Sequence, residues 1–319
     1  MARVDIAVWL RDPNIECWNF RERHAARLLA VPGVELRVCE DREEFLESLP
    51  TARVAIVWRF EEEWLPRAPR LDWLVTPAAG RDYFDVRPRS GVDVEYGSFH
   101  GKIIGETVLA FLLGHSRGVR DTLELQETHP WPRALLAPRL RRLRGSRLTV
   151  LGFGRIGRWI GRLAKPFGVR IAGVKRRPAP RPDYFGPEDR IVLREDLDGV
   201  LPETDFLVVC LPRNSETDLI VDRRRLDLLS REAVVVNVGR GNAVDEEALA
   251  SQLSRGELAA AYLDVYREEP LPEDSPLRDC PNVLLMPHAS AISPDYMDLF
   301  TEELVEKLEV RYGDELQGA

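Results

Sequence analysis

The stretch RLTVLGFGRIGRWIGRLAKPF, residues 147–167, decides how this chain is read. LTVL is a short apolar run of strand formers, GFGRIG follows it without a spacer, and RWIGRLAKPF continues with apolar residues at helical spacing. In that order Gly152 permits a tight turn, Gly154 a close backbone approach, and Gly157 the packing of helix on strand. The free amides at the helix start suit a pyrophosphate. The glycine pattern alone is weak, but its strand-turn-helix setting predicts a dinucleotide site made by Gly152, Gly154, Arg155, Ile156 and Gly157.

Working outward, further apolar runs follow at GVRIAGV, DFLVVCLP, AVVVNVGRG, LAAAYLDV and NVLLMP, which makes six strands and suggests a doubly wound parallel sheet. Upstream, VDIAVWL, VELRVC, RVAIVW, LDWLVT and VDVEYG read as strands with amphipathic segments such as REEFLESL between them, a second parallel α/β pattern. GETVLAFLLGHSRGVRDTLELQE, residues 105–127, has the spacing of one long helix, and the breaker-rich HPWPRALLAPRLRRLRG after it reads as a boundary or an interface arm. PAPRPDYFGPEDR reads as a surface loop. The expected fold is α/β, two Rossmann-like doubly wound domains with a cleft between them.

The chain has 319 residues, 44% hydrophobic and 31% charged, enough for one or two packed cores. No apolar run approaches the roughly 20 residues that span a bilayer, and the opening MARVDIAVWLRD alternates like a strand rather than a signal peptide. Cys17, Cys39, Cys210 and Cys280 form neither a C-x-x-C pair nor a metal-ligand cluster, so no metal and a cytoplasmic, reducing compartment are expected. Net charge is −8, yet Thr128 to Pro182 holds 15 Lys or Arg and no acid. That block suits an anionic ligand, nucleic acid or an acidic partner; net acidity elsewhere argues against nucleic acid.

At the end of GVRIAGV an NAD site would carry an acid for the adenosine ribose. The chain has Lys175, Arg176 and Arg177 instead, which suit a 2′-phosphate. NADP(H) is the preferred expectation, with NAD(H) left open.

Three later motifs are more specific. VVVNVGRG sets Arg240 just past a strand, LDVYREEP sets Glu269 before Pro270, and LLMPHAS sets His288 past the next strand. With GFGRIG upstream, this order resembles the D-isomer-specific 2-hydroxyacid dehydrogenase family over nearly the whole chain, most closely its NADP-dependent glyoxylate/hydroxypyruvate reductases. The resemblance implies that Arg240 holds the keto acid carboxylate and polarises its carbonyl, that His288 supplies the proton, and that Glu269, rather than Glu268, orients the imidazole; the chemistry suits those side chains. It also implies cofactor contacts from Cys210, Leu211 and Pro212, where the family often has a histidine at Cys210, and from Val238 and Gly239. Asp264 has two readings, a partner of the nicotinamide carboxamide or a loop acid, and Ile104 is read as packing on the nicotinamide or as core.

On the substrate side the resemblance points to the amides of Ala79 and Gly80 in LVTPAAGRD, where Ala78 and Arg81 depart from the usual pattern. Trp58 and Arg59 end another strand and face the same expected cleft; Arg59 suits a second anionic group. Trp131 in the arm is read, from the resemblance, as reaching the partner subunit's active site, or else as an interface or core tryptophan. The implied layout is residues 1–100 plus 290–319 for substrate and 101–289 for the dinucleotide, including a dimerisation arm at about 105–146, in a homodimer. The expected activity is NADPH-dependent reduction of a small 2-keto acid to the D-2-hydroxy acid, without membrane or nucleic-acid partners. A phosphoglycerate dehydrogenase-like enzyme, disfavoured because no added regulatory domain follows the last helix, and a nucleotide-sensing corepressor-like binding protein are the alternatives.

Overall fold

A computed structural model describes residues 3–80 and 91–317; Arg81 lies outside them. The chain divides into two compact units, Met1–His100 with Ile292–Ala319, and Gly101–Ala291. Among the described residues no helix is long and apolar enough to cross a membrane.

The first unit is a parallel sheet of β1 (Val4–Trp9), β2 (Val34–Val38), β3 (Val54–Val57), β4 (Trp73–Thr76) and β5 (Asp93–Tyr96), in the order β2-β1-β3-β4-β5. These are the five strands read from the sequence. β3 and β4 are buried along their whole length, which explains why VAIV and WLVT do not alternate: a parallel sheet is covered on both faces. Helices α1 (Glu22–Leu29) and α2 (Arg42–Ser48) follow β1 and β2. Asp41 starts α2 by accepting the Glu44 amide at 2.9 Å, an N-cap that satisfies one of the helix's orphan donors. The last helix, α10 (Tyr296–Gln317), returns to this unit, where Glu303 accepts the Ser98 amide at 3.0 Å and Arg311 pairs with Asp93 at 2.8 Å.

The second unit contains β6 (Arg147–Leu151), β7 (Arg170–Lys175), β8 (Arg190–Leu193), β9 (Phe206–Val209), β10 (Val234–Asn237), β11 (Ala260–Leu263) and β12 (Val283–Leu285), all parallel, in the order β12-β11-β10-β9-β6-β7-β8. Its helices are α3 (His100–Ser116), α4 (Val119–Gln126), α5 (Arg133–Leu136), α6 (Arg155–Ala164), α7 (Leu197–Val200), α8 (Arg223–Leu226) and α9 (Glu246–Ser254). Period-two alternation divides the apolar strands between two cores. Leu148, Val150, Val208, Val234 and Val236 face one layer; Leu151, Val209, Val235 and Ala261 face the other. The chain leaves β6 through β7 to β8 and returns to β9 on the opposite side, so the strand order reverses at the carboxyl end of β6, where open α/β sheets bind ligands.

Two local expectations are corrected. The single helix over 105–127 is two, because Gly118 adopts a left-handed conformation at φ 59° between α3 and α4. A Cβ there would fall 2.9 Å from Leu140 Cδ2, so the break is held by packing. A seventh strand, β8, follows the proline-rich segment. That segment is the expected surface loop, and it is tied to the unit: the Tyr184 hydroxyl donates to the Arg158 carbonyl at 2.7 Å, and Phe185 packs on Phe153 with ring centroids 5.5 Å apart.

Gly118 and Gly114 supply a paired test. Gly118→Ala is expected to lower stability by about 1–2 kcal/mol, the cost of left-handed geometry for an L-residue. Gly114→Ala, inside α3 where a Cβ meets only Val119 at 4.0 Å, is expected to be neutral or stabilising. Urea midpoints at unchanged slope measure both; equal shifts would contradict the assignment of the break to Gly118.

Candidate active site

β6 delivers the chain to Gly152 at φ 99°, where a Cβ would lie 2.4 Å from the Cys210 carbonyl oxygen; only glycine lets the loops after β6 and β9 meet so closely. A Cβ at Gly157 would lie 2.6 Å from the Gly152 oxygen, so α6 can seat against the turn only with glycine there. Around Gly154 nothing lies within 4 Å of such a Cβ. That leaves an open cradle in front of the first-turn amides of α6, which no helical carbonyl can satisfy. Arg155 is exposed beside it and Ile156 half-buried. The loop therefore fits a dinucleotide pyrophosphate on its own geometry.

The neighbouring candidates are placed as follows. Ile104 and Val238 are buried in the same apolar cluster as Phe153. The Cys210 amide donates to the Leu151 carbonyl at 2.8 Å, and a Cβ at Gly239 would sit 2.5 Å from the Leu211 nitrogen, so Cys210, Leu211, Pro212 and Gly239 form one tightly apposed pair of strand ends. The three cations after β7 do not act as one cluster. Lys175 Nζ donates to the Phe153 carbonyl at 3.1 Å, and burial, helped by nearby Arg158, lowers its pKa. Arg176 pairs with Glu216 at 2.9 Å, and Arg177 is exposed.

Arg240, Glu269 and His288 all lie just beyond strand ends. Gly241 explains why the first two are neighbours: a Cβ there would lie 1.8 Å from the Tyr266 carbonyl carbon, so the turn after β10 lies flush against the chain leading to Glu269. Arg240 donates to the Gly239 carbonyl at 2.8 Å, and Asn237 donates to the Arg240 carbonyl at 3.2 Å. Glu269 uses both oxygens. Oε1 accepts the Tyr266 amide at 2.9 Å and Oε2 lies 2.7 Å from His288 Nδ1. Burial alone would raise the Glu269 carboxyl, but His288, the Tyr266 amide and Arg240 outweigh it and hold it below the ordinary 4.5.

His288 itself has a left-handed backbone, φ 54°, which is rare outside glycine. Its amide donates to the Asp264 carbonyl at 2.9 Å, while the Asp264 carboxylate accepts the amides of Ala289 at 2.6 Å and Ser290 at 3.1 Å. Asp264 is fully buried. Sequence reasoning missed two supports. The Tyr266 hydroxyl donates toward the Leu263 and Met286 carbonyls, and the Glu246 carboxylate, its pKa raised by burial, accepts the Arg267 amide at 2.7 Å. Tyr266 lay in view within LDVYREEP, between the two acids that were singled out.

In the first unit, Trp58 follows β3 and packs between Trp18 and Tyr296, at 5.5 and 6.1 Å between ring centroids. Its indole N–H is buried without a partner among the described residues. The Tyr296 hydroxyl lies 3.0 Å from His100 Nε2 and 3.4 Å from the Pro77 oxygen, next to the loop holding Ala79 and Gly80. Ala79 and Arg59 are exposed.

A family model described as D-isomer specific 2-hydroxyacid dehydrogenase, NAD binding domain, matches residues 109–290. The chain belongs to the D-isomer-specific 2-hydroxyacid dehydrogenase family. Glyoxylate/hydroxypyruvate reductase B of Pectobacterium atrosepticum is 33% identical over 235 residues, 72% of each chain. Among solved structures, a D-isomer specific 2-hydroxyacid dehydrogenase from Xanthobacter autotrophicus Py2 in complex with NADPH and MES superposes with a TM-score of 0.76 at 26% identity, covering 98% of this chain and 96% of that one. The NADPH-dependent glyoxylate/hydroxypyruvate reductase of Sinorhizobium meliloti, in complex with NADP and malonate, gives 0.70 at 26% identity and covers 98% and 95%. This family member is therefore an oxidoreductase with a nicotinamide-dinucleotide domain.

Two expectations follow from this geometry. In Asp264→Asn one acceptor oxygen replaces two, and a loss of about 1–3 kcal/mol is expected from the orphaned amides, read by urea unfolding. The Glu269 carboxyl is depressed in the folded state, so its contribution to stability is present above pH 4.5 and disappears as pH falls through the depressed value. The stability gap between wild type and Glu269→Gln should accordingly be widest above pH 4.5 and narrow in acid, followed by thermal unfolding.

Proposed function

We propose that this chain reduces a small 2-keto acid of the glyoxylate or hydroxypyruvate type to the D-2-hydroxy acid, with NADP(H) as its preferred cofactor. The observation that carries the reading is the Glu269–His288 pair, 2.7 Å apart at a strand end next to Arg240. Bound NADPH would supply the hydride; everything else falls to side chains. Arg240 offers a planar guanidinium able to hold the keto acid carboxylate and polarise its carbonyl. Glu269 occupies Nδ1 of His288, fixes the orientation of the ring, and leaves Nε2 to protonate the new alkoxide. Asp264 acts as a positioning residue, because the amides it gathers shape the turn that carries His288.

Gly152, Gly154, Arg155, Ile156 and Gly157 would hold the pyrophosphate, with Ile104, the Cys210–Pro212 segment, Val238 and Gly239 as the walls. Preference for NADP(H) is supported by the lack of an acid at the end of β7 and the presence of Lys175, Arg176 and Arg177 there; NADH is expected to be the poorer donor. In the unit formed by residues 1–100 and 292–319, Ala79 and Gly80 would supply amides to the substrate carboxylate, and Trp58 and Arg59 would bear on its substituent. α4 and the arm that follows it expose Val119, Leu123, Trp131 and Leu135, an apolar series suited to a second copy in a homodimer.

The test is turnover of NADPH and NADH against glyoxylate, hydroxypyruvate, pyruvate, oxaloacetate and phenylpyruvate, followed as loss of reduced-nicotinamide absorbance. NADPH turnover with glyoxylate or hydroxypyruvate is expected, with kcat lowered about 10²-fold or more in His288→Ala. Absence of turnover with every keto acid, while NADPH still binds, would overturn the reductase reading.

A further inference from the structure

The cations after β7 were expected to meet the 2′-phosphate together, yet the structure gives Arg176 a different companion. Arg194, in the turn after β8, and Arg176 both direct an Nη1 at the same oxygen of Glu216, at 3.2 and 2.9 Å. Glu216 stands in the loop after β9, so three strand ends contribute one group each. They border a cavity of about 410 Å³ that is also lined by Leu193, Asp218 and Arg225. Arg225 is committed elsewhere, to Asp198 at 2.8 Å and the Ile220 carbonyl at 2.7 Å, and Asp218 lies 3.4 Å from the Asn242 amide.

Two guanidinium groups sharing one carboxylate oxygen are like charges brought together by an intervening anion. The side chains of Arg176, Arg194 and Glu216 are 58%, 36% and 50% exposed, and ion pairs so solvated hold their partners weakly. A phosphate monoester carries more charge than a carboxylate and three acceptor oxygens, enough to engage both guanidinium groups.

We propose that Arg194 is the second guanidinium of the subsite for the 2′-phosphate of NADP(H), and that Glu216 is its resident stand-in anion, holding Arg176 and Arg194 together until the phosphate displaces it. This rests on the NADP(H) reading above. It assigns cofactor choice to Arg176, Arg194 and Glu216, and ranks Lys175, whose ammonium is engaged by the Phe153 carbonyl, below them.

The experiment is titration calorimetry without turnover, using adenosine 2′,5′-bisphosphate and 5′-AMP as probes on wild type, Arg194→Ala and Glu216→Gln. Thermal unfolding would verify that both surface variants remain folded. Wild type should bind the bisphosphate more tightly than AMP. Arg194→Ala is expected to weaken the bisphosphate roughly ten-fold, equivalent to about 1.4 kcal/mol, and leave AMP unchanged. Glu216→Gln should tighten the bisphosphate several-fold, again without effect on AMP, and flatten the salt dependence of neither ligand. A wild-type preference for the bisphosphate that survives unaltered in both variants would overturn the inference and leave the NADP(H) reading intact. No preference in wild type would overturn the NADP(H) reading and this inference with it.

Discussion

One buried carboxylate organises the chemical end of the second unit. Asp264 follows β11, its own amide donates to the Asn237 carbonyl at the end of β10, its carbonyl accepts from His288, and its side chain collects the amides of Ala289 and Ser290 beyond β12. A single residue thus ties three adjacent strand ends through main-chain groups. A charge with no exposed surface is tolerated because several N–H dipoles converge on it, and each of those amides would otherwise be an orphan in the interior. The left-handed backbone of His288 is held by this surrounding set of bonds, which is the condition under which such a conformation persists.

The sheet makes that arrangement possible. Because every strand runs parallel, every β10, β11 and β12 terminus arrives at the same edge, and each brings one chemical group: Arg240, Glu269 by way of the Tyr266 turn, and His288. Close backbone approaches then set their spacing. Gly241 against Tyr266 and Gly152 against Cys210 are contacts that no side chain larger than hydrogen permits, so the two glycines fix how near the guanidinium and the dinucleotide loop come to the strands beside them.

Much of this was legible in the sequence, for physical reasons that also mark the limits. Long apolar runs such as VVVN and FLVV announce strands covered on both faces, and a residue just past such a run lies at the carboxyl edge, which places Arg240 and His288 there, while their roles came from the family resemblance of the motifs. β8 escaped because RIVL is a four-residue edge strand behind a proline-rich segment. The break at Gly118 escaped because apolar spacing continues through it and glycine alone does not end a helix pattern. The dispersal of Lys175 and Arg176 could not be read at all: their partners, the Phe153 carbonyl and Glu216, lie 22 and 40 residues away in the chain. Local pattern reports which face a residue occupies; it does not report which distant group will be waiting there.

The charge segregation along the chain resolves in the same way. The block from Thr128 to Pro182 has no acid of its own, but folding brings acids to it from elsewhere: Arg139 meets Asp121, Arg141 meets Glu232, Arg162 meets Asp183, Lys165 meets Asp189, Arg170 meets Glu188 and Arg176 meets Glu216. Six of the fifteen cations in that stretch are thus individually paired with acids from outside it. Apart from Lys165 with the buried Asp189, these pairs are solvated and contribute little to stability, so their arrangement is free to serve other ends. Where the pair stands at the carboxyl edge of β7, beside a glycine loop fitted for a pyrophosphate, the same weakness would, on the proposed reading, let a phosphate take the place of the carboxylate. On that reading, an ion pair that adds little to the stability of the fold decides which dinucleotide it accepts.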